Sequence, residues 1–317
     1  ILNQIISLRF SSILKMINFS GLSFHQKSKI IKKQVNDILM QKVRSFQKIH
    51  RNLINVIRYI IFEGKKIRSC FIYSVGSMLK VSCKQISKIA ASVECMHAYS
   101  LIHDDLPSMD NDDIRRNKKS CHIVFGEANA ILAGNALQAL AFELLLSLNR
   151  KNLDHKSHLQ IIRELTIAGG IKGICGGQSL DISKKKRCHM NIELLNIIYF
   201  YKTVSLIRAS IRMIFYASRY RYEKKLILIL DDYSENIGLL FQIADDLIDF
   251  KKDKLKSQNQ NKNKITYPIL IGIDQSKKSI KNLYKKSIRN IFLIKKKYGF
   301  NIDMLCNVTD FILFKNK

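Results

Sequence analysis

The chain has 317 residues, of which 47% are hydrophobic, so it can bury a full-sized core and is neither disordered nor fibrous. It contains only 2 Pro and 13 Gly, too few turn-forming residues for a sandwich or barrel with many corners. The formal net charge of +29 raises the question of a polyanionic partner. Because the basic residues are scattered in short groups and Trp is absent, we expect no nucleic-acid partner.

Apolar residues recur at helical spacing along most of the chain. Residues 1–15 are set aside as an N-terminal extension of uncertain status, and 16–317 are expected to form one domain. The i, i+3, i+4, i+7 pattern predicts helices within 27–62, 86–103, 126–149, 156–176, 190–218, 223–250 and 278–298. Breaks are predicted at 107–119, Gly176-Gly177, 188–191 and the polar stretch 252–264. Since no period-2 run of strand length stands out, the sequence predicts an all-α fold, one large bundle of about ten helices.

No sequence feature directs the chain to a membrane or an oxidising compartment. We expect Lys or Arg to interrupt every apolar run before it reaches the ~20 residues of a membrane span. The seven Cys include no Cys-x-x-Cys pair and cannot all pair, which favours free thiols without a structural disulfide or zinc. We therefore predict a cytoplasmic protein without a transmembrane segment.

The strongest local signal is a cluster of acids in a basic chain. Five of the 25 acids fall within ten residues: Asp104, Asp105, Asp110, Asp112 and Asp113. Like charges at this density are unfavourable unless cations neutralise them. A solvated acidic loop is the simpler alternative, but the cluster directly follows an apolar helix and contains Leu106-Pro107. The cluster therefore predicts a metal site.

A second group of carboxylates lies in an otherwise apolar predicted helix, at Asp245, Asp246 and Asp249. Asp245 and Asp249 are only ~40° apart around the helix axis, so both face one way. The alternative is an amphipathic helix with its polar side in water, but large apolar residues closely flank these acids. Two such groups facing one cavity would form an oxygen-ligand site suited to Mg²⁺.

These motifs carry a family resemblance. Asp-Asp-Leu-Pro-Ser-Met-Asp from Asp104 and Asp-Asp-Leu-Ile-Asp from Asp245 resemble the two aspartate-rich motifs of trans-isoprenyl diphosphate synthases. The surrounding residues, at 98–107 and 121–134, are most similar to the bacterial farnesyl diphosphate synthase branch. The resemblance runs from about residue 30 to the C-terminus. It implies an isoprenoid-synthase-type bundle around a deep central cavity, a homodimer, and Mg²⁺-dependent head-to-tail condensation of dimethylallyl or geranyl diphosphate with isopentenyl diphosphate.

The resemblance also assigns roles to individual residues. Metal ligands for about three Mg²⁺ ions would be Asp104, Asp105, Asp110, Asp245 and Asp249. The allylic diphosphate would be bound by Arg115, Lys202, Thr203, Gln242 and Lys264. Isopentenyl diphosphate would be bound by Lys65, Arg68, His97 and Arg116. Catalysis would depend on Asp104, Asp105, Asp110, Lys202 and Asp245, the cavity would be lined by Gln178 and Asp181, and product length would be set by Tyr99 and Ser100.

Spacing alone supports part of this assignment. His97 and Asp104 are seven residues apart, so about 20° of rotation separates them over two helical turns. Taken alone, His97 would more often be a core histidine, but its position on the face of the acid cluster favours a ligand-binding role. Lys65 and Arg68 share a face and could bind one diphosphate, although an exposed basic turn is an equally good interpretation.

Several positions depart from the family pattern, namely Glu63, Ser69, Asn111, Asn117, Asn135, Val204 and Ala244. They predict an enzyme slower or less stable than its relatives. Geranyl or geranylgeranyl diphosphate synthase is an alternative within the family. A terpene cyclase is disfavoured because it would not need the second diphosphate site. From a different class, the alternative is a catalytically weak basic binding subunit, against which the retention of both acid clusters argues.

Overall fold

A computed structural model describes residues 19, 21–44, 49–149, 153–184, 190–256 and 265–314. The helices in chain order are α1 (Phe24–Arg44), α2 (Arg51–Ile61), α3 (Ile67–Met78), α4 (Cys83–Asp104), α5 (Cys121–Phe125), α6 (Glu127–Leu146), α7 (His155–Gly169), α8 (Ile174–Lys184), α9 (Ile192–Tyr199), α10 (Ser205–Ala217), α11 (Lys224–Lys256), α12 (Tyr267–Ile271), α13 (Ile273–Tyr298) and α14 (Asp303–Phe314). A π-helical turn, Phe200–Val204, joins α9 to α10. Between α4 and α5 a small hairpin pairs β1 (Ile114–Arg115) with β2 (Lys118–Lys119).

Helix α4 lies at the centre of the bundle. Its N-terminus is capped by Ser82, whose hydroxyl accepts a hydrogen bond from the Gln85 backbone N–H at 3.4 Å. Along its length α4 packs against α1, α2, α3, α6 and α10, and most of its side chains are buried. The acid cluster begins where this central helix ends, so the core fixes the position and direction of Asp104.

The all-α prediction is confirmed, but several of the predicted helix bounds are wrong. The segment 27–62 forms two helices, and 190–218 is interrupted by the π-helical turn. Helix α3 was not predicted because nearly all of its residues from Ser69 to Val75 are buried, which leaves no amphipathic period to detect. Helix α14 was also missed.

The break predicted at Gly176-Gly177 is wrong, because both residues are helical within α8. The break lies instead at 170–173, between α7 and α8. Gly177 lies where α8 closely approaches the π-helical turn. A Cβ at Gly177 would lie 2.5 Å from the backbone nitrogen of Lys202. The glycine therefore lets α8 contact the π-helical turn.

Helix α6 shows that the expected interruption of every long apolar run by Lys or Arg is wrong. Residues 120–149 contain no Lys or Arg, and by length and composition α6 is the one candidate membrane span in the described part of the chain. A core helix passes the same test, and α6 buries Ala133, Leu137 and Ala141 against its neighbours. A single helix of this kind does not indicate a membrane protein.

The cysteines within the described ranges are all free thiols: Cys70, Cys83, Cys95, Cys121, Cys175 and Cys306. Cys175 is exposed, whereas Cys70, Cys95 and Cys121 are buried. Burial raises the pKa of the Cys70 thiol to about 12, so it behaves as a small apolar group. The extension 1–15, Cys188 and Lys264 lie outside the described residues.

Candidate active site

The loop after α4 folds back so that its acids return to the helix end. The backbone N–H of Asp110 donates to the carbonyl of Asp104 at 2.9 Å, and that of Asp112 donates to Asp105 at 3.2 Å. Between them Asn111 adopts a φ of 54°, a left-handed conformation that Asn tolerates better than most residues. This turn brings the first and last acids of the Asp-Asp-Leu-Pro-Ser-Met-Asp motif together.

Lys202 lies among the carboxylates of Asp104, Asp110 and Asp181, and we call these four residues the acidic region. The Lys202 ammonium is 2.8 Å from Asp181 Oδ2 and 3.9 Å from Asp110 Oδ2. Burial lowers the pKa of Lys202, but the three carboxylates outweigh burial and the net shift is upward. Burial raises the pKa of Asp104 to about 6; Lys202 opposes the shift and Asp110 adds to it. The region holds more negative than positive charge.

Asp105 has a different environment from Asp104, although the two are adjacent in sequence. Its side chain is only 2% exposed. Arg115 Nε donates to Asp105 Oδ1 at 2.8 Å, and Arg115 Nη2 also binds Asp105 and, at 3.0 Å, Asp112 Oδ2. Burial raises the pKa of Asp105 even though Arg115 opposes the shift. Of the predicted metal ligands in this cluster, Asp105 thus has the least support, and its contacts indicate that it orients Arg115.

The π-helical turn presents Lys202 and Thr203 towards different partners. Such turns insert a residue into a helix and are frequent at functional sites. The Thr203 hydroxyl donates to Gln242 Oε1 at 2.7 Å, and the Gln242 amide donates to Asp246 Oδ1 at 3.1 Å. The turn therefore contacts the acidic region through Lys202 and α11 through Thr203.

Asp246, which is not among the predicted metal ligands, has a structural role. It is buried, and it accepts hydrogen bonds from the Tyr199 hydroxyl and from the backbone N–H of Tyr267. Asp245 is half-buried and Asp249 exposed, one turn further along. The ~100° between successive helical residues turns Asp246 away from Asp245 and Asp249, as the ~40° between those two residues implied.

A basic region of the site consists of Lys65, Lys66, Arg68, His97 and Arg116, together with Glu94. Arg68 Nη1 lies 3.2 Å from His97 Nε2. Since a guanidinium only donates, His97 Nε2 accepts and the ring is neutral. Burial, then the charges of Arg68 and Arg116, lower the pKa of His97 well below its usual value. The charge of Asp245 acts on Arg68, which brings the second acid cluster beside this region.

The hairpin places Arg116 over the loop that carries Lys65. A Cβ on Gly64 would lie 2.6 Å from Arg116 Cζ, so the glycine makes room for the guanidinium. Arg116 and Asn117 form the two-residue turn with φ of 53° and 63°, the positive values of a type I′ hairpin. Asn is a favoured substitute for Gly in such a turn, which explains this departure from the family pattern. Lys65 itself is exposed.

Two residues that the sequence analysis did not predict form a buried ion pair in the basic region. Lys66 Nζ lies 3.5 Å from Glu94 Oε2, and the two side chains are only 3% and 4% exposed. Ser69, another departure, donates its hydroxyl to Glu94 Oε1 at 2.7 Å. Glu94 precedes His97 by one turn of α4, and its charge also acts on Arg68 and Arg116. The sequence signal for this pair was Glu94 itself, an acid inside an apolar helix of a chain with few acids.

A cavity of about 360 Å³ opens beside Asp104, between α4 and α8. Its lining includes Tyr99, Ser100, His103, Met109, Ile174, Cys175 and Gln178. Gln178 is buried, and neither polar atom of its amide has a hydrogen-bond partner among the described residues. Since buried amides are nearly always satisfied, this group indicates a ligand-binding surface. Ser100 donates its hydroxyl to the His97 carbonyl at 2.9 Å.

Contacts and charge interactions link the elements of the site in a ring. Helix α4 carries His97 and Asp104. Asp104 and Asp110 meet Lys202 of the π-helical turn, whose Thr203 contacts α11 through Gln242. The same helix carries Asp245, which acts electrostatically on Arg68, and Arg68 returns to α4 at His97. Both acid clusters and the basic region therefore share one site.

The donor set fits Mg²⁺ that is bound together with a substrate. Among the described residues, no three His, Cys, Asp or Glu side chains converge into a complete metal cage. Mg²⁺ is usually held by one or two carboxylates plus water and substrate phosphates. The proximity of Asp104 and Asp110, with excess negative charge, meets that requirement.

Comparison with known proteins identifies the family. Residues 50–298 match the family model described as polyprenyl synthetase, and the chain belongs to this family. The farnesyl diphosphate synthase of Buchnera aphidicola subsp. Acyrthosiphon pisum is 41% identical, covering 84% of this chain and 94% of the relative. That of Escherichia coli is 36% identical, covering 93% and 100%. The crystal structure of a geranyltransferase from Legionella pneumophila superposes with a TM-score of 0.82 at 32% identity, covering 92% and 97%.

These findings confirm the predicted family and the isoprenoid-synthase fold. The relatives are short-chain prenyltransferases, as the two aspartate-rich motifs indicated. The roles of individual site residues stay predictions.

Proposed function

We propose that this chain condenses dimethylallyl and then geranyl diphosphate with isopentenyl diphosphate, head to tail, to form farnesyl diphosphate. The ring of contacts and charge interactions that joins the acidic region, α11 and the basic region carries this proposal. The reaction needs two diphosphate sites that face each other, one suited to a metal-bound leaving group and one to a free anion. The names and high coverage of the relatives support the same activity.

In the acidic region, Asp104 and Asp110 would hold Mg²⁺ from one side and Asp245 from the other, with Asp249 acting through water. When bound, about three ions would stabilise the negative charge that develops on the leaving diphosphate. Lys202 contributes a positive charge at the same place. Thr203, Gln242, Lys264 and the Arg115 held by Asp105 would complete the allylic diphosphate site.

In the basic region, Arg68, His97, Arg116 and Lys65 would bind isopentenyl diphosphate. A neutral His97 can donate from Nδ1 while its Nε2 accepts from Arg68. The cavity beside Asp104 would receive the growing hydrocarbon chain and exclude water from the allylic cation. Gln178 and Asp181 would line this path, and Tyr99 with Ser100 would limit its depth.

The test is incubation with dimethylallyl and isopentenyl diphosphates, with Mg²⁺ or with a chelator, following pyrophosphate release and product length. We expect metal-dependent release and a fifteen-carbon main product. Asp245→Asn should abolish most release, whereas Asp274→Asn, at an exposed position of α13, should not. Ten- or twenty-carbon products would instead favour geranyl or geranylgeranyl diphosphate synthase. Absence of metal-dependent release would favour the weak binding subunit.

We also propose a homodimer, supported by an apolar surface on α5 and α6. Ile123, Val124, Ile131, Leu132 and Leu146 are all more than 40% exposed. Exposed apolar patches of this kind mark interaction sites. Light scattering should give twice the chain mass of 36.7 kDa, and Leu132→Lys should shift it towards the monomer. Unchanged monomer mass in the unmodified chain would contradict this. One domain over 16–317, a cytoplasmic location and the absence of a nucleic-acid partner stay predictions.

A further inference from the structure

Tyr99 lines the cavity beside Asp104 that α4 and α8 enclose. It precedes Asp104 by five residues on α4, about 7.5 Å along the helix axis. Both residues line the same cavity as Cys175 and Gln178 of α8. A hydrocarbon chain whose diphosphate is bound at Asp104 would therefore meet the Tyr99 ring as it lengthens.

On one side the Tyr99 ring is held by His103. The two rings meet edge to face, with centroids 4.9 Å apart, a favourable aromatic geometry. His103 is itself fixed, because its Nε2–H donates to the carbonyl of Ile131 at 3.2 Å. A Cβ at Gly134 would lie 2.2 Å from His103 Nε2, so this glycine leaves the space that the imidazole occupies.

On the other side the Tyr99 hydroxyl is held by Cys175. The oxygen and the Cys175 Sγ are 3.3 Å apart, and either group can donate. A half-buried tyrosine with two rotatable bonds could otherwise swing aside. The contact with Cys175 of α8, and that with His103, which is anchored to α6, oppose that motion.

We propose that Cys175 and His103 determine product length by holding the Tyr99 ring across the end of the cavity. This inference rests on the proposed prenyltransferase function and extends it to two positions outside the aspartate-rich motifs. Cys175 is a specificity-determining residue in this view, acting through Tyr99 and not on the reacting atoms. When the thiol is removed, the ring is less restrained and a longer chain can displace it.

The experiment compares product distributions of Cys175→Ala, Tyr99→Phe and the double variant at excess isopentenyl diphosphate. The measured quantity is the ratio of products one isoprene unit longer than the main product to the main product. We expect this ratio to rise about 3- to 10-fold in Cys175→Ala, the effect of losing one hydrogen bond. Tyr99→Phe should do about as much, because it removes the other partner of the same hydrogen bond. The double variant should add little to Tyr99→Phe, since the two changes remove the same contact.

Two matched variants separate this role from a structural one. Cys306→Ala makes the same change at a partly buried position of α14 and should leave the ratio unchanged. Cys175→Ser keeps a hydrogen-bonding group and should restore most of the original ratio. An unchanged ratio in Cys175→Ala, with product still formed, overturns the inference and leaves the proposed function intact. Absence of prenyl product from the unmodified chain overturns both.

Discussion

In the acidic region Lys202 lies among the carboxylates of Asp104, Asp110 and Asp181, whereas in the basic region three cations act on the carboxylate of Glu94. The first arrangement leaves excess negative charge, and the second leaves excess positive charge on Lys66, Arg68 and Arg116. Both regions are partly desolvated, so these charges interact more strongly than they would in water.

The difference shows how one cavity can hold two diphosphates in distinct states. An excess of carboxylates attracts a diphosphate only with its metal ions, while an excess of guanidinium and ammonium groups attracts a bare diphosphate. Each region also contains one counter-charge, Lys202 or Glu94, which lowers the cost of keeping like charges together before the substrates arrive. Variants that remove charges from one region should therefore affect one substrate and not the other.

The largest effect is expected for Asp104→Asn, compared with Asp105→Asn. Asp104 lies with Asp110 and Lys202, so its loss should reduce kcat about 10³-fold through lost stabilisation of the leaving group. Asp105 is bound to Arg115, and its substitution should cost about 10-fold by loosening that side chain. Steady-state pyrophosphate release at saturating Mg²⁺ measures both. Equal losses would contradict the distinction between these neighbours.

The second effect concerns the counter-charge of the basic region. Glu94→Gln leaves Lys66 buried without its partner and should lower the free energy of unfolding by about 3 kcal/mol. Glu63→Gln is the matched control, because the Glu63–Lys118 pair, at 2.6 Å, is exposed and should contribute less than about 1 kcal/mol. Urea unfolding of the three proteins gives the comparison. Similar losses in both variants would mean that burial does not distinguish the two pairs.

The sequence predicted the acidic region better than the basic one, and the reason lies in the range of the contacts. Asp104 and Asp110 are joined by a local turn, and the long helix α11 has a clear helical period. The pairing of Lys66 with Glu94 joins α4 to the start of α3, a helix with no detectable period. Lys66 also adopts a φ of 53°, which no propensity of Lys predicts.

At two positions the residue type alone gave a wrong or weakly supported prediction, because a tertiary contact decides what the residue does there. Asp105 has the same sequence context as Asp104, but only the folded hairpin delivers Arg115 to it. Gly177 suggested a break because Gly is a poor helix former, yet the close approach of the π-helical turn requires it inside a helix. Such contacts between distant segments cannot be derived from one sequence without a model of the packing.

A third, smaller effect is expected on isopentenyl diphosphate binding. Arg68→Ala should raise the KM for isopentenyl diphosphate about 10- to 30-fold, because it removes a charged donor from a desolvated position beside His97. Lys65→Ala removes an exposed charge and should raise the KM about 3-fold. The KM for the allylic diphosphate should change little in either variant. A larger change in the allylic KM would contradict the separation of the two regions.

The smallest expected effect is a pH dependence of the unfolding free energy, which tests whether the acidic region carries excess negative charge. Burial, opposed by Lys202 and reinforced by Asp110, raises the pKa of Asp104 to about 6. The folded protein therefore holds this proton more tightly than the unfolded chain, so ionisation of Asp104 destabilises the fold. With a chelator present, this contribution should reduce stability as pH rises from about 4 to about 6 and stay constant above that, by about 1 kcal/mol after allowing for partial exposure.

Asp104→Asn lacks this titration, so the difference in unfolding free energy between the two proteins isolates it from all groups that they share. We expect the unfolding free energy of the variant to rise relative to that of the unmodified chain between about pH 4 and about pH 6. Mg²⁺ binds the ionised carboxylate, so adding it at pH 7 should recover part of the loss in the unmodified chain and less in the variant. A difference that is constant with pH would mean that Asp104 ionises as readily in the folded protein as in the unfolded chain, which would contradict an under-compensated carboxylate at this position.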